Sequence, residues 1–244
     1  MRSVVVIPTY NERDNVSRII EGVLRQPEGF DVLIVDDNSP DGTADVVQGY
    51  ADTESRVSVL RRNGPRGLGL SYVDGFGLAI SRGYEAVFEM DADYSHDPDD
   101  LGKLLGALQS HDMVLGSRYC GGRVSVLNWP ITRLALSIFA GCYVRRVTGM
   151  NVSDPTSGYR GFQARVLESI DLGAIKSNGY CFQVETLYRA HKCGFDIAEV
   201  PIVFTERCEG QSKMSKGVIT ESMLMPWRLR FSRRIAHGLR SRQD

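Results

Sequence analysis

Short apolar runs alternate with helical patterns along the first half of the chain. Residues 4–7 form a continuous run of Val and Ile, which is typical of a strand buried on both faces of a sheet. The segment that follows has helical spacing, with apolar residues at 16, 19, 20, 23 and 24. Similar runs predict strands at 32–35, 57–60, 86–90 and 113–116. Strands and helices in this order predict an α/β fold, a mostly parallel sheet with helices on both faces.

The second half of the chain is less regular. Its patterns predict helices at 130–149 and 182–193 and strands at 157–162 and 197–204. From residue 223 onward the pattern is helical apart from Pro226, and six arginines between Arg228 and Arg242 are interleaved with aromatic and aliphatic residues. We therefore predict a domain over residues 1–215 and a basic, amphipathic helical extension over residues 216–244.

Polar side chains follow three of the predicted strands. Residues 10–12 follow the first strand, Asp36 and Asp37 end the second, and Asp91 and Asp93 follow the fourth. Because ligands of such sheets bind outside the carboxyl ends of the strands, we expect these groups to meet at one edge. Two carboxylates one residue apart offer hard oxygen ligands, which suit Mg²⁺ or Mn²⁺ shared with a substrate's phosphates. An isolated Asp-x-Asp is more often a pair of solvated turn acids, so the convergence of three loops carries the metal hypothesis.

Composition excludes several classes of protein. The chain has 244 residues, 24% of them charged, and a formal net charge of −1, so overall charge gives no reason to expect nucleic acid as a partner. The five cysteines have no Cys-x-x-Cys spacing, which disfavours a zinc site or a disulfide framework and favours a reducing compartment. The glycine motifs of dinucleotide folds and P-loop nucleotidases are missing, and a pyrophosphorylase would need a glycine-rich loop where residues 8–12 stand.

Apolar segments long enough to span a bilayer are also missing from the sequence. The longest apolar stretch, residues 134–144, has 11 residues, whereas a span needs about 20. The N-terminus enters a predicted strand directly, so we expect no signal peptide.

Nine segments, in the same order along the chain, resemble one family of enzymes. Three of them, residues 6–12 (VIPTYNE), 35–43 (VDDNSPDGT) and 90–96 (MDADYSH), resemble inverting family 2 glycosyltransferases of GT-A fold. The other six are residues 116–119 (GSRY), 128–130 (NWP), 154–160 (DPTSGYR), 179–183 (GYCFQ), 200–207 (VPIVFTER) and 212–213 (SK). Together they look like dolichol-phosphate, or polyprenol-phosphate, mannosyltransferases, and the resemblance covers about residues 3–215.

The resemblance implies an activity and a location. That family transfers mannose from GDP-mannose to a polyprenyl phosphate, with inversion at the anomeric carbon and with Mg²⁺ or Mn²⁺. The reaction takes place at the cytoplasmic face of a membrane, so we expect a cytoplasmic, peripheral protein. Some members carry C-terminal membrane spans, but this chain resembles those that are a catalytic domain alone. A membrane-anchoring partner subunit is left open.

The resemblance also implies roles for residues on the donor side. Asp93 is the expected metal ligand, with Asp91 as a second ligand or a ribose partner, and Arg207 and Lys213 are expected to close over the donor diphosphate. Asp36 or Asp37 can accept from the N–H edge of guanine or uracil, although an Asx turn or a helix cap is the structural alternative for both. The expected donor contacts are Pro8, Tyr10, Glu12, Val35, Asp37, Asp91, Ala92, Asp93, Arg207 and Lys213.

On the acceptor side, Arg118 and Arg133 are the candidates for binding phosphate, because an arginine fork matches phosphate oxygens two at a time. The predicted catalytic residues are Asp93, Arg118 and Asp154, of which Asp154 would serve as a base if a base were needed. The sequence departs from the family's pattern at Ser95, where some relatives have a metal-binding Gln, and in the loop 121–126. Arginines of the tail and the apolar helix from Pro130 predict contact with a membrane surface.

Two other functions remain open at this point. The same fold could use UDP-glucose or another sugar nucleotide, because a carboxylate in the base site does not distinguish guanine from uracil. A non-catalytic subunit that binds nucleotide or lipid is the alternative from another class, against which the intact acid pair and basic loop argue.

Overall fold

A computed structural model describes residues 1–175, 177, 179–205 and 216–232 of the chain. The strands are β1 Ser3–Thr9, β2 Asp31–Asp36, β3 Val57–Arg61, β4 Ala86–Glu89, β5 Met113–Ser117, β6 Val126–Leu127, β7 Arg160–Gln163, β8 Ile197–Pro201 and β9 Phe204–Thr205. The helices are α1 Arg13–Leu24, α2 Thr43–Ala51, α3 Leu68–Ser81, α4 Leu101–Leu108, α5 Ile131–Thr148, α6 Ala164–Ser169, α7 Tyr180–Lys192 and α8 Lys216–Phe231.

Seven strands form one sheet in the order β3-β2-β1-β4-β7-β5-β8. All neighbouring pairs are parallel except the two that involve β7, which runs antiparallel to β4 and β5. This confirms the predicted α/β fold with a mostly parallel sheet.

Both faces of the sheet are apolar and covered by helices. Successive side chains of a strand point to opposite faces, so Val4 and Val6 of β1 join one buried cluster and Val5 and Ile7 join another. The first cluster includes residues of α3, α6 and α7, and the second includes residues of α1, α2 and α4. The continuous apolar run at the start of the chain is therefore a strand with two buried faces.

β7 brings two distant parts of the chain into register. Arg160, its first residue, pairs with Glu89 of β4 on one side and with Leu115 of β5 on the other. The sequence predicted a strand near residues 157–162 but not its direction or its place between β4 and β5. As a result, the loops after β4 and β5 lie one strand apart.

The apolar run at 197–204 forms two strands instead of the one predicted. β8 pairs with β5 at the edge of the large sheet, whereas β9 pairs with β6 in a separate two-stranded sheet. Pro201 ends β8, and a proline cannot donate to a strand ladder.

α8 continues through Pro226, where the sequence pattern predicted an interruption. A proline inside a helix removes one backbone hydrogen bond and costs about 3 kcal/mol. Met225 and Leu229 are buried in the same cluster as Val144 of α5 and Leu187 of α7. Tertiary packing thus stabilises the helix across the proline. The division at residue 215 remains a prediction.

None of the helices in the described residues is both long enough and apolar enough to cross a membrane.

The close approach of α3 to the sheet yields a test of the fold. A Cβ added at Gly75 would lie 2.6 Å from Val6 Cγ1 and 2.9 Å from Val35 Cγ2, whereas one added at Gly77 of the same helix would meet nothing within 4 Å. We expect Gly75→Ala to lower the free energy of unfolding by about 1–3 kcal/mol, because overpacking must move the helix or the strands. Gly77→Ala should raise it by up to about 1 kcal/mol through helix propensity. Denaturant titration measures both, and equal shifts would contradict the close packing of α3 against β1 and β2.

Candidate active site

The carboxyl ends of β1, β2 and β4 form one edge of the sheet, as predicted. Asp37 N donates to Thr9 O over 2.9 Å, and Met90 N donates to Val6 O over 3.3 Å. Pro8 and Val35 are register partners on β1 and β2 just before the strands end. Three polar loops that are far apart in sequence therefore start side by side.

Asp36 stabilises the turn that follows β2. Its carboxylate accepts hydrogen bonds from Ser39 N at 2.9 Å, Ser39 Oγ at 2.6 Å and Thr9 Oγ1 at 3.1 Å. These bonds form an Asx-type turn, which was one of the two readings that the sequence allowed.

Asp37 lies in a buried charge network that the sequence reasoning missed. It forms an ion pair with Arg62 Nη1 and accepts a hydrogen bond from Gly67 N at 2.7 Å. Arg62 Nε also donates to Asp74 at 2.6 Å. Arg62 directly follows β3, the strand next to β2, so its position at a strand end was the available signal.

Tyr10 and Glu12 lie on the loop after β1, at the same edge. The Arg66 guanidinium lies over the Tyr10 ring, 4.4 Å from its centroid, and the Tyr10 side chain is 41% exposed. Arg66 is next to Gly67, whose N–H binds Asp37, so the loop after β3 covers the side of the edge where Tyr10 stands. Glu12 accepts from Asn15 Nδ2 at 2.8 Å.

The acid pair follows β4 and is held by its own loop and by Tyr72 of α3. Asp91 Oδ1 accepts from the Tyr72 hydroxyl at 3.3 Å, and Asp91 N donates to His96 Nδ1 over 3.2 Å. Ser95 N donates to Asp93 Oδ1 over 3.0 Å. Burial and the charge of Asp91 raise the pKa of Tyr72 well above its usual value, so its hydroxyl stays protonated.

The donor set of this loop fits a hard divalent cation. The described residues contain no cluster of three or more His, Cys, Asp or Glu side chains that could hold a metal. Ser95 Oγ is buried beside the acid pair without a hydrogen-bond partner in the described part of the chain. Two carboxylates and a hydroxyl match the few protein oxygens that Mg²⁺ takes when a substrate's phosphates complete its shell.

Arg118 and Asp154 form a buried, bidentate ion pair across the loops after β5 and before β7. Arg118 Nε and Nη2 each lie 2.6 Å from an oxygen of Asp154, and Arg118 N donates to the same carboxylate over 3.1 Å. Burial would raise the pKa of Asp154, but hydrogen bonds from Arg118 and its charge outweigh it and lower the pKa. Two predicted catalytic residues are therefore each other's main partner.

Aromatic rings connect this ion pair with the acid pair's loop. The Arg118 guanidinium lies 5.5 Å from the ring centroid of Phe204 and 5.6 Å from that of Trp129, and Arg133 lies 4.4 Å above the Trp129 ring. His96 packs edge-on against Phe204 at 5.6 Å between ring centroids. The two predicted acceptor arginines thus both lie against one indole ring, that of Trp129, which packs on Phe204 as His96 does.

Beneath these loops lies a second buried ion pair, between Glu89 and Arg160. Both side chains are inaccessible to solvent, and Arg160 Nε lies 3.9 Å from Glu89 Oε2. Burial raises the pKa of Glu89 to about 8, and the charge of Arg160 offsets this only in part.

Ala92, which stands between Asp91 and Asp93 in the sequence, is buried.

Arg207 and Lys213, the predicted diphosphate-binding pair, lie outside the described residues.

The sequence of the chain is similar to those of known proteins. A family model described as glycosyl transferase family 2 matches residues 4–171. Polyprenol monophosphomannose synthase of Mycolicibacterium smegmatis is 46% identical over 224 residues, covering 91% of this chain and 84% of that protein. Undecaprenyl-phosphate mannosyltransferase of Micrococcus luteus is 44% identical over 244 residues and covers 99% of both.

A solved structure has the same fold. The mannosyltransferase PcManGT from Pyrobaculum calidifontis, in complex with GDP-Man and Mn²⁺, superposes with a TM-score of 0.58 at 16% identity, over 98% of this chain and 72% of that one. At this identity the likeness concerns the fold alone.

The Asp37–Arg62 pair can be tested by removing one charge. We expect Arg62→Met to lower the free energy of unfolding by about 3–5 kcal/mol, because Asp37 would be left buried without its cation. Arg61→Met is the matched control on the preceding residue, whose ion pair with Asp45 is exposed, and it should cost less than about 0.5 kcal/mol. Denaturant titration separates the two, and similar losses would contradict a buried role for Arg62.

Proposed function

The chain belongs to glycosyl transferase family 2, and we propose that it transfers mannose from GDP-mannose to a polyprenyl phosphate with inversion at the anomeric carbon. The observation that carries the proposal is 44% identity over 99% of both chains to an undecaprenyl-phosphate mannosyltransferase. Two features of the site support it. The acid pair can hold a metal ion against the donor diphosphate, and Arg118 of the Arg118–Asp154 pair can bind the acceptor phosphate.

The donor diphosphate binds at the end of β4. Asp91, Asp93 and the Ser95 hydroxyl would hold Mg²⁺ or Mn²⁺ there, and the ion would neutralise charge that develops on the departing diphosphate. Tyr72 donates to Asp91 and the Ser95 amide donates to Asp93, so both carboxylates are oriented before the donor arrives. Arg207 and Lys213 add cations to the diphosphate in this proposal.

The nucleobase binds between the loops after β1, β2 and β3. Tyr10 offers a stacking surface, and Asp37 offers a carboxylate to the N–H edge of guanine. Because Arg62 and Gly67 N hold Asp37 in place, it can accept from a base without first reorienting. Glu12 binds a sugar hydroxyl in this arrangement, while Pro8, Val35 and Ala92 contribute the walls of the site.

The acceptor phosphate binds near Arg118 and Arg133. Asp154 orients Arg118, and the lowered pKa that follows from this ion pair makes Asp154 a poor proton acceptor. A base is not required, because a phosphate monoester already carries about −1.5 to −2 charges near pH 7. A phosphate oxygen attacks the anomeric carbon, a carbon–oxygen bond forms, and GDP leaves with the electron pair of the bond that breaks.

Exposed apolar side chains on α5 and α8 favour contact with a membrane surface that carries the lipid acceptor. On α5, exposed apolar residues recur on one helical face at Ile131, Ala135, Ile138, Phe139 and Cys142, and Leu136 is exposed as well. α8 packs beside α5 through a hydrogen bond from Arg230 to the Val147 carbonyl, and it exposes Met223, Leu224, Trp227 and Phe231. Large exposed apolar patches mark interaction sites. The enzyme therefore acts peripherally at the membrane face on which the acceptor's phosphate is displayed.

A donor screen tests the proposed function. Thermal shift is measured with GDP and UDP, each with and without Mn²⁺. GDP should raise the melting temperature only when Mn²⁺ is present, because a ligand that binds only the folded state stabilises it. Asp93→Asn should abolish that gain and lower turnover by about 10²- to 10³-fold, while Asp99→Asn on the same loop should keep both. A gain with UDP instead would favour the UDP-sugar alternative. Nucleotide binding without mannosyl transfer to polyprenyl phosphate would favour the non-catalytic subunit.

Liposome co-sedimentation tests the membrane contact. The double variant Trp227→Ser, Phe231→Ser should bind anionic vesicles at least severalfold less, because two large apolar side chains no longer enter the membrane interface. The GDP-dependent thermal shift of the same variant serves as the folding control and should be unchanged. Equal sedimentation of variant and wild type would contradict a role for α8.

A further inference from the structure

The loop between α5 and β7 carries Asp154, yet its own position depends on side chains from other elements. Its backbone N–H groups meet a carboxylate on β8, and its carbonyls meet the guanidinium of Arg160 on β7. Asp154 in turn fixes Arg118, so whatever fixes the loop also fixes the arginine proposed for the acceptor phosphate.

Glu199 provides the carboxylate on β8. One of its oxygens accepts from Ser153 N at 2.7 Å and the other from Asp154 N at 3.0 Å. Hydrogen bonds to a charged acceptor are about twice as strong as neutral ones. Neighbouring β8 and β5 place Glu199 opposite Leu115, three residues before Arg118. Both members of the Arg118–Asp154 pair are thus anchored to adjacent strands.

Arg160 fixes the other half of the loop. It donates to Ser157 O at 2.7 Å and to Pro155 O at 3.1 Å from a fully buried position. Ser157 Oγ also donates to Gly116 O at 2.5 Å. Arg160 thus holds the carbonyl groups of residues 155 and 157. The N–H groups of Ser153 and Asp154 are held by Glu199, so the direction of this part of the loop depends on Glu199.

We propose that Glu199 is a positioning residue for the acceptor phosphate, acting through the backbone of residues 153–154 and the Asp154–Arg118 ion pair. This rests on the proposed function of Arg118. Glu199 touches neither substrate. Its negative charge holds two N–H groups, which sets the direction of the Asp154 carboxylate and hence of the Arg118 fork.

Glu199→Gln is the test, because an amide of the same size has one acceptor oxygen instead of two. We expect the KM for polyprenyl phosphate to rise about tenfold, the order that one lost charged hydrogen bond produces. kcat at saturating acceptor should stay within about twofold, and the GDP-dependent thermal shift should be unchanged. Glu28→Gln, on an exposed glutamate of the loop after α1, is the matched control and should change none of these values.

A double-mutant cycle separates positioning from general stability. In an Arg118→Lys background, Glu199→Gln should raise the acceptor KM no further, since its effect passes through the arginine fork. Additive effects, an unchanged acceptor KM, or an equal loss of GDP binding would each overturn the proposal. Glu199→Asp keeps the charge at a shorter reach and should give an intermediate KM, which provides a second variant if the amide does not fold. Wild-type enzyme that transfers no mannose would reject the proposed function itself, independently of the variants.

Discussion

Arg160 is the buried charge on which the arrangement of the candidate active site depends. Its guanidinium is inaccessible to solvent, so its N–H groups must find acceptors within the protein. They find the carbonyls of Pro155, Ser157 and Gln183, at 2.6–3.1 Å. Breaking such a buried charge network costs several kcal/mol. One side chain therefore connects the loop that carries Asp154 to the first turn of α7. Through β7, both are connected to β4, the strand that precedes the acid pair.

The sequence was sufficient to predict the part of the site that lies on parallel strands. A run such as residues 4–7 is apolar on both faces, which is the expected composition of a central parallel strand, and the order of strands and helices leaves few topologies. Parallel strands end at the same edge, so residues that follow them must be neighbours. Asp37 and Asp93 could be brought together by this rule alone, without any knowledge of their contacts.

The remaining part depends on pairings that no local pattern reveals. β7 is a short run whose composition does not show that it is antiparallel or that it inserts between β4 and β5, so the proximity of Arg118 to the acid pair's loop could not be derived. The Arg118–Asp154 pair joins residues 36 positions apart, and each of them was predicted to have a separate role. Arg62 lies at a strand end like the predicted residues, but nothing in the local sequence shows that an arginine there pairs with a buried acid.

The two ends of the proposed site differ in charge: one has two carboxylates and the other has an arginine paired with an aspartate. At the proposed donor end, a diphosphate would add its charge to the carboxylates of Asp91 and Asp93, which is the physical reason for the cation in the proposal. At the proposed acceptor end, the charge of Arg118 is matched by Asp154, whose oxygens lie 2.6 Å from Arg118 Nε and Nη2. In the proposed function, a matched arginine would orient the acceptor phosphate without neutralising it fully, so the phosphate oxygen would keep the charge that makes it a nucleophile. The asymmetry suits a reaction in which one phosphate must leave and the other must attack.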